Sequence, residues 1–132
     1  MRIQLAALLV DDQDKAMKFY TEILGFVKKR EITIGESTWV TVVSPDGPET
    51  IELALEPTGF LPAEVYQKSL FEAGTPAIAF ASDDIQAEYE RLKELGVTFR
   101  SELSSDELVT SVLFEDTCGN VINLYRASDA PV

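Results

Sequence analysis

Histidine is missing from this chain of 132 residues, and that absence removes more chemistry than any residue present adds. Without imidazole there is no Ser-His-Asp or Cys-His catalytic set, no imidazole-bound zinc and no two-histidine, one-carboxylate iron site. The single cysteine, Cys118, excludes an intrachain disulfide and any multi-cysteine metal site. Its neighbours Glu115 and Asp116 are acidic, the opposite of what stabilises a thiolate, so it is not read as a nucleophile. Basic residues are also scarce, 11 against 23 acidic ones, and the net charge of −12 sets up a field that repels nucleic acid and anionic membrane surfaces. No apolar run approaches the roughly 18 residues of a membrane span. The opening MRIQLAALLVDD reaches acid too soon for a secretory signal. A cytoplasmic protein that binds neither nucleic acid nor membrane is expected, with 45% hydrophobic residues to build the core of one domain spanning 1–132.

What is present is a repeat. LAALLVDDQDKAMKFYTEILG (5–25) and AIAFASDDIQAEYERLKELG (77–96) share one plan: an apolar run, Asp-Asp, an amphipathic stretch, Leu-Gly. Asp11-Asp12 precedes Asp83-Asp84 by 72 positions, and Ile51-Glu52-Leu53 recurs as Ile122-Asn123-Leu124 at an offset of 71. One residue fewer in the second helix explains the difference. The chain reads as a duplicated half-domain whose halves face each other around a shared cleft, which makes the paired positions, Leu5 with Ala77 and Glu52 with Asn123, the sharpest chemical question.

Ile3–Val10 suits a buried strand, and Asp11 or Asp12 can cap the helix that follows. Ala16, Phe19, Tyr20, Ile23 and Leu24 form its apolar face, and Gly25 ends it. Strands are predicted at Phe26–Ile34, Thr38–Ser44 and Thr50–Leu55, with Pro45-Asp46-Gly47-Pro48 as a turn. Glu56–Thr75 is the linker, with a helix over Ala63–Ala73 and an apolar loop tip, Phe60-Leu61, suited to covering a cavity mouth or meeting a second chain. The second half predicts a strand at Pro76–Ser82, a helix from Asp84 to Leu95, and strands at Val97–Leu103, Val109–Glu115 and Val121–Arg126. Asp116–Asn120 makes the last turn, and Ala127–Val132 is a frayed tail. Repeat one therefore runs 2–55, the linker 56–75 and repeat two 76–126.

This paired βαβββ layout, opened by VDDQDKAMKFYTEILGF and closed by DTCGNVINLY, resembles the vicinal oxygen chelate superfamily of glyoxalases, bleomycin and fosfomycin resistance proteins and extradiol dioxygenases. The resemblance runs from Arg2 to about Arg126. It implies an α+β fold in which two βαβββ repeats form curved mixed sheets around a cavity, in many members completed by a second chain, so a homodimer is expected. Metal-dependent relatives take ligands from the first and last strand of each unit. On this sequence those stations fall at Leu5, Glu52, Ala77 and Asn123, of which Glu52 alone matches. No metal and no other cofactor is expected.

Strand alternation places Thr50, Glu52 and Ala54 on one face, and likewise Leu5, Ala7 and Leu9, then Ala77, Ala79 and Ala81, then Val121, Asn123 and Tyr125. Brought together, these faces make an apolar pocket with a few orienting polar groups. The alanines leave room for a ligand or pack closely against a helix. A carboxylate at Glu52, between Ile51 and Leu53, is costly to bury alone; it can hold a ligand cation, accept a proton with a raised pKa, or serve as a hydrogen-bonded structural acid. Asn123 and Tyr125 can orient a ligand or support the core, and Trp39 can stack on a flat or cationic ligand or pack internally. The candidate ligand-binding residues are thus Leu5, Ala7, Trp39, Glu52, Phe60, Ala77, Ala79, Asn123 and Tyr125. The expected function is metal-independent binding or sequestration of a small molecule, cationic or aromatic. The alternative is an isomerase or lyase using Glu52 as general acid and base.

Overall fold

The computed structural model describes residues 1–106 and 108–127 and divides into two compact units, Met1–Tyr66 and Gln67–Val132. The first unit begins with β1 (Leu5–Val10), followed by α1 (Gln13–Lys18), which a π-helical turn at Phe19–Ile23 extends. Then come β2 (Val27–Ile34), β3 (Ser37–Val43) and β4 (Glu52–Pro57). The sheet order is β1-β4-β3-β2, with β1 parallel to β4 and the other pairs antiparallel. This is the expected βαβββ unit.

Local chemistry sets the helix ends. Asp12 accepts a hydrogen bond from the Lys15 N–H at 3.0 Å, satisfying a donor that the first helical turn leaves without a carbonyl. At the other end the Leu24 N–H reaches back five residues to the Phe19 carbonyl, so the coil holds one residue more than an α-turn. Ala16, Phe19 and Tyr20 are buried with Leu8, Val10, Val40, Val42 and Leu55, which occupy alternate positions on one side of the sheet. The Gln13 side chain ties the helix start to that side by donating to the carbonyls of Thr38 and Leu55. Each large apolar side chain fully buried in this way contributes about 1.5–3 kcal/mol. The opposite side of the sheet carries Leu5, Ala7, Arg30, Ile32, Trp39, Thr41, Glu52 and Ala54, with Thr41, Glu52 and Ala54 buried and Leu5, Arg30 and Ile32 reaching solvent. We call it the open face.

α2 (Leu61–Ala73) begins at the residue expected to form a loop tip, because Ala63 and Glu64 both donate to the Phe60 carbonyl and Pro62, lacking an N–H, fits a first helical turn. The second unit follows with β5 (Ile78–Ala81), α3 (Ile85–Glu94), β6 (Ser104–Ser105), β7 (Val109–Glu115) and β8 (Val121–Ala127), in sheet order β5-β8-β7-β6. Its core joins Ile85 and Leu92 of α3 to Val112, Phe114, Ile122 and Leu124. Phe99 links them, edge to face with both Tyr89 and Phe114.

The strand expected at Val97–Leu103 does not form. That segment keeps one bridge, Phe99 to Phe114, and the Leu113 N–H goes to the Ser101 hydroxyl, where a continuing ladder would offer a backbone carbonyl. Regular pairing resumes only at Ser104–Ser105. Of the tail expected to fray, Ala127 ends β8 and 128–132 lie outside the described residues. No helix among the described residues is long and apolar enough to cross a membrane.

Candidate functional site

β4 delivers Glu52 to the open face beside Leu5, its partner on β1. Strands β3 and β2 bring two donors to it. Thr41 Oγ1 donates to Glu52 Oε1 at 2.7 Å, and Arg30 Nε donates to the same oxygen at 2.9 Å. Thr41 is fully buried and the Glu52 side chain is 10% exposed, whereas the Arg30 side chain is 48% exposed. The carboxylate is therefore a buried acceptor held by one buried and one half-exposed donor.

Of the readings open to Glu52, these contacts favour the hydrogen-bonded acid over the proton acceptor with a raised pKa. The Thr41 hydrogen bond is the largest influence on Glu52, and together with the hydrogen bond and charge of Arg30 and the charge of Lys29 it outweighs desolvation. The pKa is lowered from its ordinary value of 4.5. An ionised carboxylate already engaged by two donors is a weak proton acceptor at neutral pH. Nor is it a vacant counter-ion for a ligand cation, since Arg30 fills that role within the chain.

Arg30 reaches this position through a β-bulge between Lys28 and Arg30. Lys28 pairs with Val42 and Arg30 with Thr41, so Lys29 is the extra residue. Strict alternation would have put Lys29 opposite Thr41 and turned Arg30 toward the helix side. Sequence reasoning missed both Arg30 and Thr41. A signal for Arg30 existed, because each repeat carries arginine shortly after its Leu-Gly, in LGFVKKR (24–30) and LGVTFR (95–100).

The other candidates in the first unit are distributed as follows. Leu5, 51% exposed, Ala7 and Trp39 share the open face with Glu52; Trp39 is half-buried opposite Ile32. Phe60 lies outside the sheet, 62% exposed at the start of α2.

In the second unit Asn123 takes the place of Glu52 on β8, but its partner on β5 is Ala79, two residues from the position the duplication suggested. Ala77 falls just before β5 and donates its N–H to the Val121 carbonyl. Tyr125 is half-buried in register with Ala81 and Ser111. Asn123 Oδ1 is buried and accepts no hydrogen bond. The arginine of this repeat, Arg100, turns elsewhere: Nε donates to Glu115 at 2.7 Å, Nη1 contacts the Phe71 carbonyl at 3.5 Å, and the guanidinium lies 4.6 Å from the Phe71 ring centre.

A divalent cation does not fit the four chelating stations. Leu5 and Ala77 offer no side-chain donor atom, Asn123 offers an amide, and Glu52 Oε1 already accepts from Arg30 and Thr41. Among the described residues no three His, Cys, Asp or Glu side chains are grouped to hold a metal ion.

The turn between β7 and β8 is a separate polar cluster. Buried Asp116 accepts the N–H groups of Cys118 and Asn120 on Oδ1 and the Asn120 side-chain amide on Oδ2. Gln67 Nε2 donates both to the Cys118 carbonyl and to Asn120 Oδ1. Cys118 is fully buried in this turn.

The profile of the Glyoxalase/Bleomycin resistance protein/Dioxygenase superfamily matches residues 2–124. The chain is 48% identical over 126 residues to the uncharacterized protein YurT of Bacillus subtilis (strain 168), covering 96% of this chain and 99% of YurT. Among solved structures, the crystal structure of UcmS2 is similar with a TM-score of 0.82 and 32% identity, over 95% of this chain and 97% of UcmS2. TnmS3, an antibiotic binding protein from Streptomyces sp. CB03234, shares the fold with a TM-score of 0.74 at 24% identity, over 97% of each chain.

Proposed function

This chain belongs to the glyoxalase/bleomycin resistance protein/dioxygenase superfamily, and from that premise we propose that it binds a small organic molecule, without a metal ion, on the open face of its first sheet. The observation that carries the reading is the trio Arg30, Thr41 and Glu52 set among Leu5, Ile32 and Trp39. A few fixed polar groups on an apolar floor are what a small-molecule site needs. TnmS3, an antibiotic binding protein on the same fold, supports a small-molecule ligand. Binding is favoured over turnover because Glu52, the carboxylate of the trio, is kept ionised by its donors. In the second unit, taken by itself, Ala79, Asn123 and Tyr125, with Ala77 beside them, are a further proposed ligand surface, supported by the buried Asn123 Oδ1 that awaits a donor. So does a homodimer, supported by the exposed Phe60, Leu61, Val65 and Tyr66 around the start of α2.

A thermal-shift screen of aromatic antibiotics with the full chain tests the reading. A ligand at 100 times its Kd stabilises by about 2.7 kcal/mol, which raises Tm by roughly 10 °C in a domain of this size. The shift is expected to persist in EDTA and to shrink in Trp39→Leu. Absence of any stabilising compound, or stabilisation that requires a divalent metal, would overturn the proposal.

A further inference from the structure

We infer that Arg30 is the anchoring donor of this site and that the ligand class it selects is an apolar body bearing a carboxylate. The inference rests on the proposed use of the open face. Arg30 is oriented through Nε alone, and the group orienting it is itself fixed, since Glu52 is held by buried Thr41. Glu52 is the only hydrogen-bonding or ion-pair partner of Arg30 among the described residues, which leaves the two terminal guanidinium nitrogens available on a half-exposed side chain. A planar pair of N–H donors matches the two oxygens of a carboxylate.

The surroundings supply the rest of the specificity. Ile32, Leu5 and Val27 are exposed on the same face as Arg30, with Trp39 opposite Ile32, so an apolar body has a surface to lie on. Lys28, Lys29 and Arg30 form the only run of adjacent basic residues in a chain of net charge −12. Lys28 pairs with Glu31, but the charges of both Lys29 and Arg30 act on Glu52. Lys29 is itself engaged by the Glu49 carbonyl, so the unused donors here are those of the Arg30 cation, which suits an anion and disfavours a cation. The bulge at Lys29 matters here because it puts a fork-shaped guanidinium, rather than an ammonium, on the open face.

Arg100 provides an internal contrast. At the corresponding place after Leu-Gly it is closed by Glu115, the Phe71 carbonyl and the Phe71 ring, so its role is structural. The same residue type is engaged on several sides in one repeat and on one side in the other.

The test uses three probes of similar shape, 2-naphthoate, 2-naphthamide and 2-naphthylmethylammonium, titrated at up to millimolar concentration while amide and arginine Nε–H resonances are followed by NMR. The naphthoate is expected to bind at least tenfold more tightly than the ammonium probe and to move the Arg30 Nε–H signal. Arg30→Gln should weaken naphthoate binding at least tenfold without weakening the ammonium probe, since Glu52 loses its cationic partner. Arg30→Lys should fall between, and Arg100→Gln should bind as wild type does. If the probes bind equally well and Arg30→Gln changes nothing, the ligand class is wrong while the open face survives as a site. If none of the probes perturbs resonances of this face, the proposed site fails with it.

Discussion

Replacing Asp116 by Asn changes almost nothing in size, yet the hydrogen-bond chain around it should make the substitution costly. Two groups in that chain can only accept: the Asp116 carboxylate at one end and the Cys118 carbonyl at the other. Gln67 must therefore present Nε2 to the Cys118 carbonyl, and the same Nε2 donates to Asn120 Oδ1. Asn120 must in turn point Nδ2 at Asp116 Oδ2, at 2.8 Å. With Asn at 116, its Oδ1 can still receive the N–H groups of Cys118 and Asn120, but its amide then confronts the Asn120 amide, donor to donor. Flipping Asn120 moves the conflict to Gln67, and flipping Gln67 sets its oxygen against the Cys118 carbonyl. One buried hydrogen bond is lost and one donor is left without an acceptor, about 1–3 kcal/mol. Unfolding entropy near 2.1 cal/mol/K per residue then gives a Tm decrease of roughly 4–11 °C. Asp116→Ala, which abandons two backbone N–H groups and the Asn120 amide, should cost about 3–5 kcal/mol after the loop relaxes. Urea denaturation read by far-UV circular dichroism measures both. An Asp116→Asn protein within about 0.5 kcal/mol of wild type would show that the chain has no fixed direction and would refute the reasoning.

Two further expectations concern the same turn and the open face. Gly119 has φ +93° and an added Cβ would stand 2.9 Å from Gln67 Cδ, whereas Gly35 has φ +62° with nothing within 4 Å. Gly119→Ala should thus cost about 2–4 kcal/mol against about 1 for Gly35→Ala, and equal losses in a denaturant titration would count against the close approach of Gln67. The lowered pKa of Glu52 means that the unfolded chain takes up its proton first, so stability gained from the ionised carboxylate is full above pH 4.5 and is lost as pH falls through the lower folded value. The gap in Tm between wild type and Glu52→Gln should then be wide at pH 7 and narrow at pH 3. A gap that widens in acid would reverse the assigned sign.

Features set by neighbouring residues were legible in the sequence. Asp12 and Asp84 both cap helices, at 3.0 Å and 3.2 Å from the N–H groups of Lys15 and Ala87, because a cap reaches only three residues along the chain. The βαβββ order followed from periodicity and the repeat. What escaped depended on partners from distant segments or on a break in regularity. Ile51 and Leu53 showed that Glu52 needs a partner but not which one, and its state is decided by Thr41 and Arg30, which are 11 and 22 residues away. Alternation cannot foresee the bulge at Lys29 that exchanges the faces of two basic residues. Similarly, the apolar pattern of 97–103 does not reveal that a serine hydroxyl will replace a carbonyl in the ladder.

The π-helical turn at Phe19–Ile23 bears on how such a repeat can diverge. From capping Asp to closing Gly the first helix spans 12 to 25 and the second 84 to 96, one residue longer in the first, and that residue resides in the wider turn. An insertion lodged in this way leaves its surroundings in phase: the buried Ala16, Phe19 and Tyr20 keep their places, and the strand after Gly25 still pairs with β3. In evolutionary terms the helix acts as an expansion joint, allowing one half of a tandem repeat to change length while its sheet, and whatever that sheet has come to recognise, is inherited undisturbed.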